Sequence, residues 1–155
     1  MNRPTDMSPA DREGHDRQAI TALVESYRLG FETMDVDRLA SLWDRDYADL
    51  IYVALEAASP IRDLEGIARY YRRVARQFET VMRMSVDDLS VGILGDAAFA
   101  WCTFHFAAVF KGRREPHLAD ARVTFVFRRS QEGWRVIHYH ESSPGPLQDP
   151  LANPY

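Results

Sequence analysis

The C-terminal half of the chain is a succession of strand-like runs, and their order constrains the fold more than any other feature of the sequence. The runs are Met82–Leu94, Ala97–Phe110, Ala119–Arg128 and Trp134–Ser142. Turn signals separate them at Gly95-Asp96, at Gly112 with Pro116, and at Glu132-Gly133. Short connections favour antiparallel neighbours, because parallel strands need a long crossover. The sequence therefore predicts a four-stranded antiparallel meander.

Helical periodicity dominates the first half of the chain. Apolar residues at three- and four-residue steps predict a first helix with the stripe Ile20, Leu23, Val24, Tyr27, Phe31 and Met34. Asp37 can cap a short second helix and Asp63 a third, and the run Leu50–Leu55 predicts a strand between them. Three helices followed by a meander predict an α+β fold.

A single domain accounts for this pattern. The chain has 155 residues, of which 46% are hydrophobic, and this is enough for a core without a disulfide or a metal. We predict a folded unit over residues 15–143, preceded by a disordered tail (residues 1–14) and followed by an extended proline-rich tail (residues 144–155). The single cysteine, Cys102, lies in an apolar run and is expected to be a small buried residue.

The charge balance argues against several classes of function. A formal net charge of −4 and a pI near 5.7 argue against nucleic-acid binding, which needs a basic surface. We expect a cytoplasmic protein that does not bind membranes, because the chain has neither a long apolar stretch nor a signal-peptide core. The one basic cluster has helical spacing and is expected to be a solvated helix face: Arg69, Arg72, Arg73 and Arg76.

The run Ala97–Phe110 is apolar on both of its alternating sides. Phe99, Trp101, Ala107 and Val109 form one set, and the even-numbered set includes Ala100, Cys102, Phe104 and Phe106. An antiparallel strand with one solvated face alternates apolar and polar residues, so this strand is expected to be covered on both faces. Helices can cover only one face, and we therefore predict a homo-oligomer, most simply a two-fold dimer through the outer face of the sheet.

The last hairpin carries a family resemblance. The strand Arg122–Arg129 ends in an arginine pair, and Trp134–Ser142 starts with tryptophan and ends in a His-x-His-x-Ser step. In these features it resembles SnoaL-like proteins of the nuclear transport factor 2-like superfamily, and in particular the association domain of calcium/calmodulin-dependent protein kinase II. The steps Gly95–Ala98 and Leu64–Gly66 fit the same pattern, so the resemblance spans residues 18–143.

This resemblance implies a fold and a site. The fold is a cone in which a curved antiparallel sheet wraps around three N-terminal helices, with a pocket between them and association through the outer sheet face. Such folds carry isomerases, cyclases and dehydratases as well as association modules, so the fold alone does not assign an activity.

Glu56 is the first candidate for catalysis. It ends the first predicted strand, and in ketosteroid isomerase-like members of the superfamily a carboxylate base stands near the corresponding strand end. An apolar wall would raise the pKa of such a carboxylate. The alternative is a glutamate at the protein surface. Aromatic candidates for binding a flat ligand are Tyr27, Trp43, Tyr47, Tyr52, Trp101 and Tyr139, although most aromatics of a small domain pack its core.

Arg122 and Glu141 are a second pair of candidates. If Arg129 pairs with Trp134 across the last turn, strict antiparallel register places Arg122 opposite Glu141, on the same face as Tyr139. Two interpretations are open: an ion pair near the end of the sheet, or an arginine in the cone that binds a carboxylate or an enolate-like oxygen.

His138 and His140 share the opposite face in this register. With His105 they could begin a metal site, but no spaced ligand motif supports one and no metal is expected. The alternatives are histidines held by hydrogen bonds at a subunit interface, contacts from His105 and His140 to a ligand, and His138 as a general acid or base. The sequence has no phosphate-binding glycine loop or nucleophile elbow, so no cofactor is expected.

Two functional hypotheses follow. The first is a protein that binds a small hydrophobic or oxygenated organic molecule and acts as a cofactor-free isomerase, cyclase or hydratase by proton transfer. The second is a non-catalytic association module. An open cone with a buried carboxylate or histidine favours the first, and a cone filled by side chains favours the second.

Overall fold

The computed structural model describes residues 7–144 and confirms the α+β fold. In chain order the elements are α1 (Pro9–Thr33), α2 (Val36–Ser41), β1 (Ile51–Val53), α3 (Leu64–Gln77), β2 (Phe78–Leu94), β3 (Ala97–Phe110), β4 (His117–Ser130) and β5 (Gly133–Ser142). The sheet has the order β1-β5-β4-β3-β2. Strands β2 to β5 form the predicted antiparallel meander, and β1 joins the far edge parallel to β5. Within the described residues, no helix combines the length and apolar character needed to cross a membrane.

The helix boundaries follow from their caps. The prediction of a disordered tail is wrong for residues 9–14, because α1 already begins at Pro9. The Ser8 side chain caps this helix by accepting a hydrogen bond from the backbone N–H of Asp11. Asp35 rather than Asp37 caps α2, and Asp63 caps α3 as predicted. Residues 1–6 and 145–155, which hold the rest of the two predicted tails, lie outside the described residues.

The sheet curves around the helices and leaves the cone open on one side. β2 has three register shifts against β3, and such bulges bend and twist a strand. The inward side chains of β3, β4 and β5 are buried against α1 and α3; they include Ala100, Cys102, Phe104, Val123, Phe125 and Tyr139. Cys102 is fully buried, as predicted.

A bulge in β5 shifts its register against β4. The predicted pairing holds as far as Phe127 with Val136, but the next pair is Val126 with His138. Ile137 is therefore the additional residue of a β-bulge, and one extra residue moves every later side chain to the other face.

This bulge corrects the predicted faces of the last strand. Arg122 lies opposite Ser142, not Glu141, so the predicted Arg122–Glu141 pair is wrong. Tyr139 and Glu141 point into the cone together with the inward residues of β4. Arg122 and His138 point to the outer face, where the Arg122 guanidinium donates a hydrogen bond to the backbone oxygen of Ser143.

An ion pair between a buried carboxylate and an exposed arginine fixes the first half of α1 to the last hairpin. Arg129 donates two hydrogen bonds to the Asp16 carboxylate, at 2.9 and 2.7 Å, and the Trp134 indole N–H donates a third at 2.9 Å. The guanidinium also lies 4.3 Å from the centre of the Trp134 ring. Because Asp16 is only 7% exposed, its charge depends on these three donors for compensation.

Asp16→Asn is expected to lower the free energy of unfolding by about 2 kcal/mol at neutral pH, because the hydrogen bonds lose their charged acceptor. Hydrogen bonding to Arg129 lowers the pKa of Asp16, so its stabilisation is present above the ordinary aspartate pKa and is lost as the pH falls through the folded value. Urea unfolding at a series of pH values measures both effects. Asp96→Asn is the matched control, since Asp96 is an exposed partner of the same arginine. Equal losses in both variants would contradict this account of the ion pair.

Candidate functional site

A cavity of about 280 Å³ opens between the inner face of the sheet, α1, α3 and the loop after β1. This volume lies near the small end of the ~300–1,000 Å³ range of ligand pockets. Most of its wall is aromatic or aliphatic. The polar groups in the wall are Tyr27, Tyr52, Tyr70, Tyr139, Glu56 and Glu141, together with Gln77 and His117.

Three tyrosines form a stack at the inner end of the cavity. Tyr52 and Tyr139 are partners in the parallel pairing of β1 with β5, and their rings stack with centres 4.7 Å apart. Tyr27, from the buried stripe of α1, stacks on Tyr139 at 5.0 Å and shares a 3.1 Å hydrogen bond with the Tyr52 hydroxyl. Burial raises the pKa of all three phenols, so they are neutral hydroxyl groups that donate or accept hydrogen bonds.

Glu141 brings a carboxyl group into this aromatic wall. Its Oε2 accepts a hydrogen bond from the Tyr139 hydroxyl at 2.7 Å, and its Oε1 accepts one from the Leu55 backbone N–H, also at 2.7 Å. Burial raises the pKa of Glu141, and the charge of Glu56 raises it further, while the two hydrogen bonds oppose the shift. A carboxyl group with a raised pKa exchanges protons more readily near neutral pH, which general acid–base catalysis requires.

Glu56 lies at the mouth of the cavity and is exposed. Its Oε1 accepts a hydrogen bond from the Tyr70 hydroxyl at 2.8 Å. Burial raises the pKa of the Tyr70 phenol, and the charge of Glu56 adds to this shift. Glu56 therefore holds Tyr70 in place beside the cavity.

The structure brings four of the predicted site residues together: Tyr27, Tyr52, Tyr139 and Glu56 all line the cavity. Two other aromatic candidates lie elsewhere. Trp43 is a core residue whose indole N–H donates to the Tyr71 hydroxyl at 3.0 Å, and the Tyr47 ring lies 5.1 Å below the guanidinium of Arg128.

The remaining candidates lie on the outer face of the sheet. Trp101 is 37% exposed there, and the bulge in β5 turns His138 and His140 to the same face. Arg122 lies on this face because it alternates along β4 with the buried residues Ala121 and Val123, so the interpretation that places it in the cone is wrong. The same bulge separates His138 from the cavity, so a role for it as a base inside the cone is also wrong.

His105 occupies the outer face as well. Its ring nitrogens contact Asp120 at 2.7 Å and Asp87 at 2.9 Å. The hydrogen bond with Asp120 raises the pKa of His105, and the charges of both aspartates contribute. In the part of the chain that the structure describes, no cluster of three or more histidine, cysteine, aspartate or glutamate side chains is arranged to hold a metal ion.

Two features of the cavity were missed by reasoning from the sequence. Glu141 was treated only as a partner for Arg122, and its own carboxyl group was not considered as a functional group of the cavity. The cavity is also lined by Phe78 and Phe110, which were not among the predicted ligand-binding residues. The two-residue spacing of Tyr139 and Glu141 did indicate that they share a face of the strand. This spacing is the signal in the sequence from which Glu141 could have been found.

The comparisons with known proteins agree with this architecture. The SnoaL-like domain profile matches residues 20–146. The chain belongs to the SnoaL-like domain family. This confirms the resemblance inferred from the last hairpin. No curated protein matches the chain in a sequence comparison.

Solved structures with the same fold are similar along most of their length. A nuclear transport factor 2-like superfamily protein from Salmonella enterica is 20% identical, with a TM-score of 0.77 over 92% of this chain and 99% of the other. A proposed dehydratase from Streptomyces avermitilis is 19% identical, with a TM-score of 0.75 over 84% of this chain and 97% of the other. A proposed calcium/calmodulin-dependent protein kinase II association domain from Xanthomonas campestris is 20% identical, with a TM-score of 0.69 over 95% and 94%. At these identities the similarity establishes the fold and nothing finer.

The raised pKa of Glu141 has a measurable consequence for stability. Because the folded state favours its neutral acid, the contribution of Glu141 is present below the ordinary glutamate pKa and is lost as the pH rises through the raised value. Glu141→Gln removes this loss, so the free energy of unfolding of the variant should fall less between acid and neutral pH. Urea unfolding of both proteins across that range is the measurement. Parallel pH profiles would contradict the placement of Glu141 in an apolar wall.

Proposed function

We propose that the cone binds a small, flat organic molecule with an oxygen substituent and catalyses a proton transfer on it without a cofactor. The observation that carries this proposal is the partly buried Glu141 carboxyl group, which is hydrogen-bonded to Tyr139 and faces an open cavity. A cone filled by side chains would have favoured the association module. Isomerisation, dehydration and cyclisation next to a carbonyl group all need such a proton transfer.

The cavity provides the two groups that this chemistry needs. Glu141 in its ionised form takes a proton from the carbon next to a carbonyl group and returns it to another atom of the substrate. The developing negative charge on the carbonyl oxygen needs a neutral donor. Tyr27 and Tyr52 have two hydroxyl protons between them, and their mutual hydrogen bond uses one of these. The other hydroxyl proton can be donated to the carbonyl oxygen of the substrate. Glu56 takes the supporting role of orienting Tyr70 at the mouth.

Glu141→Gln is expected to reduce turnover by about a hundredfold or more while the substrate still binds, because the amide keeps the shape of the side chain but cannot take up the proton. A thermal-shift screen of flat oxygenated compounds supplies the best-binding molecule, and proton exchange of that molecule with deuterated water measures turnover. Glu132→Gln is the control, since Glu132 is exposed in the turn between β4 and β5. Full activity in Glu141→Gln would exclude this residue as the base.

The outer face of the sheet supports a second proposal, that the protein forms a homodimer through it. Phe99 and Trp101 are 38% and 37% exposed there. The Phe99 ring packs against the backbone of Gly92, where an added methyl group would lie 2.2 Å from a ring carbon. Exposed aromatic side chains with polar neighbours are typical of an interface. This association is compatible with catalysis in the cone.

Trp101→Arg is expected to yield a monomer, because the charge that replaces the exposed indole would be buried in the interface without a partner. Light scattering coupled to size-exclusion chromatography measures the mass. Met7→Arg is the matched control: it places the same charge at another exposed apolar residue, which precedes α1. A wild-type protein that is already monomeric would overturn the dimer proposal.

A further inference from the structure

The outward face of α3 carries a row of arginines, here called the arginine stripe: Arg69, Arg72, Arg73 and Arg76. The opposite face of the helix is buried and provides Tyr70 and Val74 to the cavity. The stripe forms one wall of an open groove of about 880 Å³, and the loop that follows β1, residues 56–61, forms the other wall. The groove is therefore positively charged along one side.

Most of this charge lacks an internal counterion. Arg72 pairs with Glu65 at 2.9 Å. Among the residues that the structure describes, no carboxylate forms an ion pair with Arg69, Arg73 or Arg76. The overall charge of the protein is −4, so the groove differs in sign from the protein as a whole. Arginine guanidinium groups recognise carboxylates and phosphates through paired hydrogen bonds.

The groove is continuous with the cavity. Glu56, Tyr70 and Gln77 line both of them, so the mouth of the cavity opens onto the arginine stripe. The Tyr70 ring marks the junction, because Tyr52 lies 5.0 Å from its centre on the cavity side and the Arg73 guanidinium lies 5.4 Å away. A molecule bound in the cavity passes this ring when it extends outward.

We infer that the natural ligand carries an anionic group, which binds Arg69, Arg73 and Arg76 while its flat apolar part occupies the cavity. This inference rests on the proposed function and narrows the substrate class to organic acids or phosphate esters. Among the described residues, the cavity wall provides the carboxyl groups of Glu141 and Glu56 and no lysine or arginine, so the wall itself offers an anion no permanent positive charge. The stripe provides the charge that holds the anionic end outside and directs the reactive end inward.

Matched probes test this assignment. Cinnamate, methyl cinnamate and cinnamyl phosphate share one flat aromatic part and differ in the terminal group, which is a carboxylate, a neutral ester or a phosphate. Isothermal titration calorimetry at low and high salt gives their dissociation constants. Cinnamate or cinnamyl phosphate is expected to bind about tenfold tighter than the ester at low salt, and the advantage should shrink at high salt. The tighter of the two anions identifies which group the stripe prefers.

The variant Arg73→Gln/Arg76→Gln removes two charges from the stripe. It should bind both anions no more tightly than the ester, whereas ester binding should change little. Arg12→Gln/Arg45→Gln is the control, since it removes two charges at exposed arginines outside the groove. Thermal unfolding of each variant verifies its fold.

The possible results separate the two proposals. If the double variant keeps the preference for the anions, the stripe does not bind the anionic group, and the proposed function is unaffected. If the wild type binds the ester as tightly as both anions, the inference is again wrong and the cavity still binds ligands. If none of the three probes binds, the proposed function fails together with the inference.

Discussion

The bulge at Ile137 determines what the interior of the cone contains. Under strict alternation from Val136, β5 would turn His138 inward, whereas the sequence alone left open which face His138 occupies. The additional residue instead turns Tyr139 and Glu141 inward, where Tyr139 stacks on Tyr52 of the neighbouring parallel strand. The place of Tyr139 in the tyrosine stack and the partly buried Glu141 carboxyl group both depend on this single irregularity. Bulges next to functional sites commonly re-aim side chains in this way.

The carboxyl group that this arrangement buries reduces stability, and contacts at the other end of the cone offset that cost. Burial raises the pKa of Glu141, so ionising it near neutral pH works against folding. Asp16 is the opposite case: its partner Arg129 lowers its pKa, and the ion pair fixes α1 to the last hairpin. Proteins often accept a local loss of stability at a functional site when the surrounding scaffold is firmly held.

Strand β3 is apolar on both sides, and its two faces meet different surroundings in the structure. Its inward residues, such as Phe104, pack against Tyr27 and complete the core around the cavity. Its outward residues Phe99 and Trp101 stand exposed on a single chain and provide the surface for the proposed dimer. The helices add a third surface, since α3 faces the cavity on one side and carries the arginine stripe on the other. The period of two residues in β3 and of 3.6 residues in α3 determines which side chains lie on each of these surfaces.

Local pattern by itself determined the elements of this protein and their order. The boundaries predicted for Ala97–Phe110 match β3, and Asp63 caps α3, because turn residues, caps and periodicity act over a few neighbouring residues. Tyr27, Tyr52 and Tyr139 were identified as candidates from residue type, as aromatic side chains that can line a cavity for a flat ligand. Tertiary structure alone decided the parallel pairing of β1 with β5, the phase of β5 after its bulge and the burial of Glu141. These depend on hydrogen bonds to two different neighbouring strands, and the periodicity of one strand contains no information about its partners.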